Sequence, residues 1–143
     1  MLNDLGIVYN YLGQYERTLA LYEQALTLAR EVKERVLEAV VLMHLGRTYD
    51  ILKQPERALA FSKQALMLAR EVKERVLEAV VLLNLGNVYK EQGQLTQALT
   101  LYEQALVLFQ EEKSRSLEAV VFLNLGLVYK EQGQPERALT SLE

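Results

Sequence analysis

One histidine, His44, and no cysteine stand among the 143 residues. A histidine-bridged metal site or a catalytic dyad needs several such ligands, or a base beside a nucleophile, and this chain does not supply them. Disulfides, thiolate metal sites and a cysteine nucleophile are excluded together. All seven glycines fall in Leu-Gly pairs or at expected turns, so no glycine-rich phosphate loop is left. Glutamates are numerous, but Glu38, Glu78 and Glu118 recur at one position of a repeat. That regularity reads as a solvated helix face and not as paired-carboxylate chemistry. Sixteen Lys and Arg against nineteen Asp and Glu give a net charge of -3, without the basic excess that phosphate backbones attract. No enzyme activity, metal or cofactor is expected, and nucleic acid is not an expected partner. What remains is recognition through side-chain contact.

Half of the residues are hydrophobic and 24% are charged, a balance that supports a packed core and excludes a disordered chain. The longest apolar runs, Ala39 to Met43, Ala79 to Leu83 and Ala119 to Leu123, span five residues each, against the roughly 20 that a membrane helix requires. No membrane segment is expected. The opening MLNDLGIVYN carries no basic stretch followed by an apolar one, so it does not read as a secretion signal. The cytoplasm is then the expected compartment.

The elements that must position any binding residue are announced by repetition. Leu5-Gly6-x-x-Tyr9 returns as Leu45-Gly46-x-x-Tyr49, Leu85-Gly86-x-x-Tyr89 and Leu125-Gly126-x-x-Tyr129, with a period of 40 residues and no slippage. Residues 28–42 and 68–82 share the sequence LAREVKERVLEAVVL. Identity this high points to recent duplication, gene conversion or a designed array. A fixed period of this size signals stacked supersecondary units, each burying its apolar face against neighbours. Within a unit, Leu37, Val40, Val41, Leu45 and Tyr49 follow helical spacing, and so do Ala58, Phe61, Ala65, Leu66 and Ala69. Each unit therefore reads as two helices. The valine pairs at 40–41, 80–81 and 120–121 favour strands locally, but the longer helical pattern around them outweighs that preference.

The turn inside each unit is marked by Gly13, Gly93 and Gly133, suited to a left-handed closing residue, followed by Pro55 and Pro135 at the first position of the second helix. Glu16, Glu56 and Glu136 in the first turn and Lys90 and Lys130 in the preceding last turn suit the helix dipole. Lys53 replaces the glycine in the second unit, at a cost of about 1 kcal/mol if that position is left-handed. Between units, REVKERVLE contains no turn-forming residue, while Ser114 in the third junction is a candidate N-cap. Breaks are expected near Lys33, Lys73 and Lys113, because a continuous helix from about Pro55 to Tyr89 could not fold two apolar faces together. The units then run 1–33, 34–73, 74–113 and 114–143, a single solenoid of about three and a half repeats. Lacking a polar capping helix at either end, it reads as a fragment of a longer array.

Leu82-x-x-Leu85-Gly86-x-x-Tyr89 followed by Ala98-x-x-x-Tyr102-x-x-Ala105 resembles the tetratricopeptide repeat, with Leu and Tyr where that pattern has Trp and Phe. The likeness covers essentially the whole chain. Thr18 stands where alanine is usual and Ser62 where an aromatic is usual, and no proline ends the second helix. The 40-residue period is similar to that of the repeats in Pins-type polarity scaffolds, kinesin light chains and bacterial regulators. The resemblance implies an all-α, right-handed α-solenoid superhelix of antiparallel helix pairs. The glycines at 46, 86 and 126 and the alanines at 58, 65, 98, 105 and 138 would let the helices cross closely.

The resemblance also implies that the first helix of each unit lines a concave groove and that ligand-facing residues occupy fixed positions in it. One column is then Asp4, His44, Asn84 and Asn124. A second is Ile7, Arg47, Asn87 and Leu127, and a third is Asn10, Asp50, Lys90 and Lys130. The candidate peptide-binding residues are His44, Arg47, Asn84, Asn87, Lys90, Asn124, Leu127 and Lys130. Asparagine both donates and accepts, so it can hold the amides of an extended peptide, or it can be satisfied by neighbouring helices. Arg47 can grip an acidic partner residue or pair with Asp50. The lysines of a clamp for acidic chaperone tails are absent from these positions, so no such binding is expected. The expected function is a scaffold binding a protein or peptide segment in the groove. The alternative is a structural segment that self-associates through its exposed terminal helices.

Overall fold

The computed structural model describes residues 2–133, with side chains from residue 13 onward. Helices run in the order α1 (Leu2–Glu31), α2 (Arg35–Ile51), α3 (Pro55–Glu71), α4 (Arg75–Glu91), α5 (Leu95–Glu111) and α6 (Arg115–Glu131), and the described residues contain no strand. Each of α2 to α6 is 17 residues long, about 25 Å of helix, and three-residue turns complete the 40-residue period. The valine pairs lie inside these helices, with Val41, Val81 and Val121 buried. Burial of an apolar stripe has overridden their strand preference.

Consecutive helices pack on one another, and α2 also meets α4 directly. The result is an all-α solenoid in which the first helices of successive units stand side by side. One part of the core gathers around Leu42, Leu45, Tyr49 and Leu68, another around Leu82, Tyr102, Phe109 and Val121. Leu66, Val80 and Leu101 pack against both, so the interior is continuous along the stack. Glycine sets how closely the paired helices cross. A Cβ on Gly46 would stand 3.2 Å from the backbone nitrogen of Ser62 and 3.3 Å from the carbonyl oxygen of Ala58. On Gly86 it would stand 2.6 Å from the ring of Tyr102, so no larger residue fits at either crossing without moving α3 or α5.

Helix breaks fall at Lys33, Lys73 and Lys113, and their mechanism is not legible in REVKERVLE. All three lysines adopt left-handed backbone, with φ of 58°, 58° and 57°, as does Lys53 at 61°. At the second junction the Lys73 amide donates to the Arg70 carbonyl and the Glu74 amide to the Ala69 carbonyl, the paired bonds of a Schellman turn. The same pair recurs at Lys33, Lys53, Gly93 and Lys113. Lysine thus does the work usually left to glycine, because packing against the next unit leaves the chain no other course. Ser114 occupies the N-cap of α6 but makes no side-chain capping bond.

Two expectations need correction. The first unit is not a helix hairpin: α1 runs unbroken through Gly13. Gly93 and Gly133 do turn, with φ of +79° and +73°, while Gly13 stays inside the helix. Glycine permits a turn without compelling one. Tyr22, at the register of Tyr102, stacks instead on His44 of α2, ring centroids 5.6 Å apart. Second, Glu38 and Glu78 are not simply solvated. Arg30 Nε donates to Glu38 at 3.1 Å and Arg70 Nε to Glu78 at 3.0 Å, each carboxylate side chain being only about a fifth exposed. Arg35 pairs with Glu71 and Arg75 with Glu111, so the charged letters of the repeated junction clip successive helices together. Pro135, Glu136 and Ala138 lie outside the described residues.

Candidate functional site

The face where α2, α4 and α6 adjoin carries the columns picked out from the sequence, and the structure distributes them unevenly. Arg47, Asn84 and Asn87 come together around one cavity of about 170 Å³, joined there by Asp50, Ser62 and Gly46. Asn124 reaches it indirectly: its Nδ2 donates to Asn87 Oδ1 at 3.4 Å. His44 is held apart, half-buried against Tyr22. Burial, and then the Arg47 guanidinium, keep its pKa below the usual 6.5, so the ring is neutral at pH 7. Lys90 is half-buried, and Leu127 and Lys130 are exposed further along the face. The side chains of Asp4, Ile7 and Asn10 lie outside the described residues.

Helical register explains the cavity. Tyr102, fully buried, lays its ring on Gly86 and donates its hydroxyl to Asn87 Oδ1 at 2.6 Å. Burial, then the nearby Glu91 carboxylate, push that phenol above its usual pKa and keep it a neutral donor. Forty residues earlier the same place on α3 holds Ser62, buried but far smaller than a tyrosine. The volume that a ring fills beside Gly86 is open beside Gly46. Ser62 was visible in the sequence as the missing aromatic, and that departure was the available signal for a pocket.

Sequence reasoning missed a carboxyl pair. Glu91, at the end of α4, forms a hydrogen bond with Asp50, at the end of α2. Burial of its carboxyl, together with that hydrogen bond and the Asp50 charge, pushes Glu91 up to about 7, against partial relief from Lys53 and Lys90. Glu91, when protonated, donates to Asp50, a partnership that the 40-residue pattern does not reveal. The two residues also line a shallower depression of about 260 Å³ with Lys53 and Pro55. Among the described residues no group of three His, Cys, Asp or Glu is placed to hold a metal ion, and no helix is long and apolar enough to cross a membrane.

A stack of antiparallel helix pairs with a polar row along its first helices defines a helical-repeat solenoid, a fold that serves in general as a non-catalytic scaffold for protein contact. Residues 5–143 match the MalT-like tetratricopeptide region, and the chain belongs to that family. Among solved structures it is similar to BtubC (BKLC) from P. vanneervenii, with 25% identity and a TM-score of 0.81 over 96% of this chain and 57% of that one. It is also similar to aspartyl phosphate phosphatase F from Bacillus subtilis, with 19% identity and a TM-score of 0.86 over 96% of this chain and 36% of that one. A third likeness is to a putative kinesin light chain from Podosopora anserina with nearly identical repeats, at 19% identity and a TM-score of 0.76, covering 96% of this chain and 68% of that one. The chain spans little more than half of the first of these proteins and about a third of the second. No curated protein matches the chain.

Proposed function

We propose that the chain binds an extended protein or peptide segment along the face formed by α2, α4 and α6. The observation that carries this reading is the run of Arg47, Asn84 and Asn87 bordering one cavity, continued onto α6 by Asn124, whose amide donates to Asn87. Spaced donors and acceptors of this kind can pair with a backbone regardless of its sequence. Lys90, Leu127, Lys130 and His44 extend the same surface. The phosphatase likeness, at 19% identity, concerns the fold, and a nucleophile with its base is not part of this face.

Photo-crosslinking tests the reading in the intact parent protein. A photoreactive residue at Leu127 should trap a partner that Asn84→Ala with Asn124→Ala releases, while one at Met67, 65% exposed on α3, should trap none. A partner held equally by the double variant, or trapped from Met67, would overturn it.

A second reading has its own observation: Val120, Leu123 and Leu127 on α6 are 41%, 53% and 39% exposed, an apolar patch suited to self-association through the end of the stack. Light scattering over a concentration series separates the two, since end-to-end stacking grows with concentration and a groove binder stays at constant mass.

A further inference from the structure

The cavity beside Gly46 differs from its counterpart one repeat later in two substitutions that act together. In the later unit, Asn87 Oδ1 accepts from both Tyr102 Oη and Asn124 Nδ2. In the earlier unit, the place of Asn87 is taken by Arg47, that of Tyr102 by Ser62 and that of Asn124 by Asn84. A guanidinium has five donors and no acceptor. The amide of Asn84 has therefore lost the oxygen that its counterpart uses, and its buried Nδ2 has no hydrogen-bond partner. A buried donor without an acceptor is destabilising until a partner reaches it. Arg47 in place of Asn87 removes the acceptor and Ser62 in place of Tyr102 removes the ring, and the two losses open onto one space of about 170 Å³.

We propose that this cavity receives the phenol ring of one tyrosine side chain from the bound segment, restoring in trans what Tyr102 supplies in cis one repeat later. The size agrees, since a cavity of about 150 Å³ accommodates a benzene ring. The chemistry selects a phenol over other rings. Its oxygen accepts from Asn84 Nδ2 and Arg47, and its proton has Asp50 as an acceptor within the same lining. A hydrocarbon ring would leave Asn84 unsatisfied. A carboxylate would meet the Asp50 carboxylate in the lining. Gly46 and Ser62 both border the cavity, so a small hydroxymethyl group stands where Tyr102 places its ring one repeat later. This inference rests on the groove reading above, and a free phenol tests it apart from any partner.

The probe is p-cresol, titrated into the full chain and followed through the side-chain amide resonances of Asn84. A saturable shift is expected, with toluene and p-toluate binding at least about tenfold more weakly. Ser62→Tyr should fill the cavity and weaken p-cresol by about tenfold or more. Should Ser62→Tyr alone fail to fold, Ser62→Tyr combined with Arg47→Asn rebuilds the later unit's whole arrangement. That double variant should melt above the parent and lose p-cresol binding. No shift up to the solubility of p-cresol, an unchanged affinity in the filled variants, or toluene or p-toluate binding as tightly as p-cresol overturns the pocket. Such a failure with partner capture still lost in the Asn84 and Asn124 variants strikes out the tyrosine and leaves the groove standing.

Discussion

The two crossing glycines sit at equivalent positions and yet should not be equally intolerant, because what faces them differs in its ability to retreat. The Tyr102 ring against Gly86 is fully buried and tethered through its hydroxyl to Asn87. A methyl carbon placed 2.6 Å from it forces α4 and α5 apart. Gly86→Ala is expected to cost about 2–3 kcal/mol in urea unfolding. The atom nearest a Cβ on Gly46 is the Ser62 hydroxyl, which can rotate away, leaving backbone contacts of 3.2 and 3.3 Å. Gly46→Ala should then cost about 1 kcal/mol, and an order of effects opposite to this one would show that the crossing is set elsewhere. Among the polar residues, Asn124 and Asn87 are engaged with each other while Asn84 Nδ2 is not. Three residues of one type therefore play two roles, decided by whether residue 47 or 87 brings an oxygen.

At the scale of elements, every described junction is closed by the same backbone hydrogen bonds, and most are closed by a residue ill suited to them. A left-handed lysine carries a penalty of about 1 kcal/mol that glycine avoids, partly offset by the greater entropy glycine loses on folding. Lys73→Gly should raise stability by about 0.5–1 kcal/mol, seen as a higher denaturation midpoint with an unchanged slope. Lys73→Ala should give no such gain, since its Cβ keeps the strain. A rise with alanine would mean that charge at the turn, and not its conformation, limits stability. The Arg35–Glu71 and Arg75–Glu111 clips hold half-exposed side chains, so each contributes less than about 1 kcal/mol and weakens with salt. They fix the register of the two helices within a unit more than they fix stability.

Across the whole molecule, two titrating groups on neighbouring first helices pull in opposite directions. The folded-state pKa of Glu91 is raised from 4.5 to about 7. Its contribution is fully present below pH 4.5 and is lost as pH rises through about 7. His44 is shifted downward from 6.5, so its contribution is present above that value and is lost as pH falls through its lowered folded pKa. Glu91→Gln should remove the acid-side gain and leave a melting temperature that falls on acidification below pH 6.5, the His44 component alone. A Glu91→Gln profile parallel to that of the parent between pH 5 and 8 would mean that Asp50 and Glu91 do not share a proton. Because each unit leans only on its neighbours, this local coupling links α2 to α4 and reaches the rest of the stack through the shared core at Leu66, Val80 and Leu101.

The 40-residue period, the helical spacing of leucine, valine and alanine, and the glycine in each Leu-Gly pair were enough to specify an all-α solenoid. Those signals are local or strictly repetitive, and physics reads them the same way in every unit. What the sequence left open depends on neighbours brought together by folding. REVKERVLE turns because two apolar faces must meet, although none of its residues favours a turn. Gly13 stays helical while Gly93 and Gly133 turn, a difference that the repeated letters do not announce. Ser62, Arg47 and Asn84 are separated along the chain by as many as 37 positions, and only Ser62 stands out alone, as the missing aromatic. Only the stacking of α2, α3 and α4 joins a missing ring, a missing acceptor and an unsatisfied donor into one cavity, because burial and hydrogen-bond satisfaction are properties of the assembled stack and not of its letters.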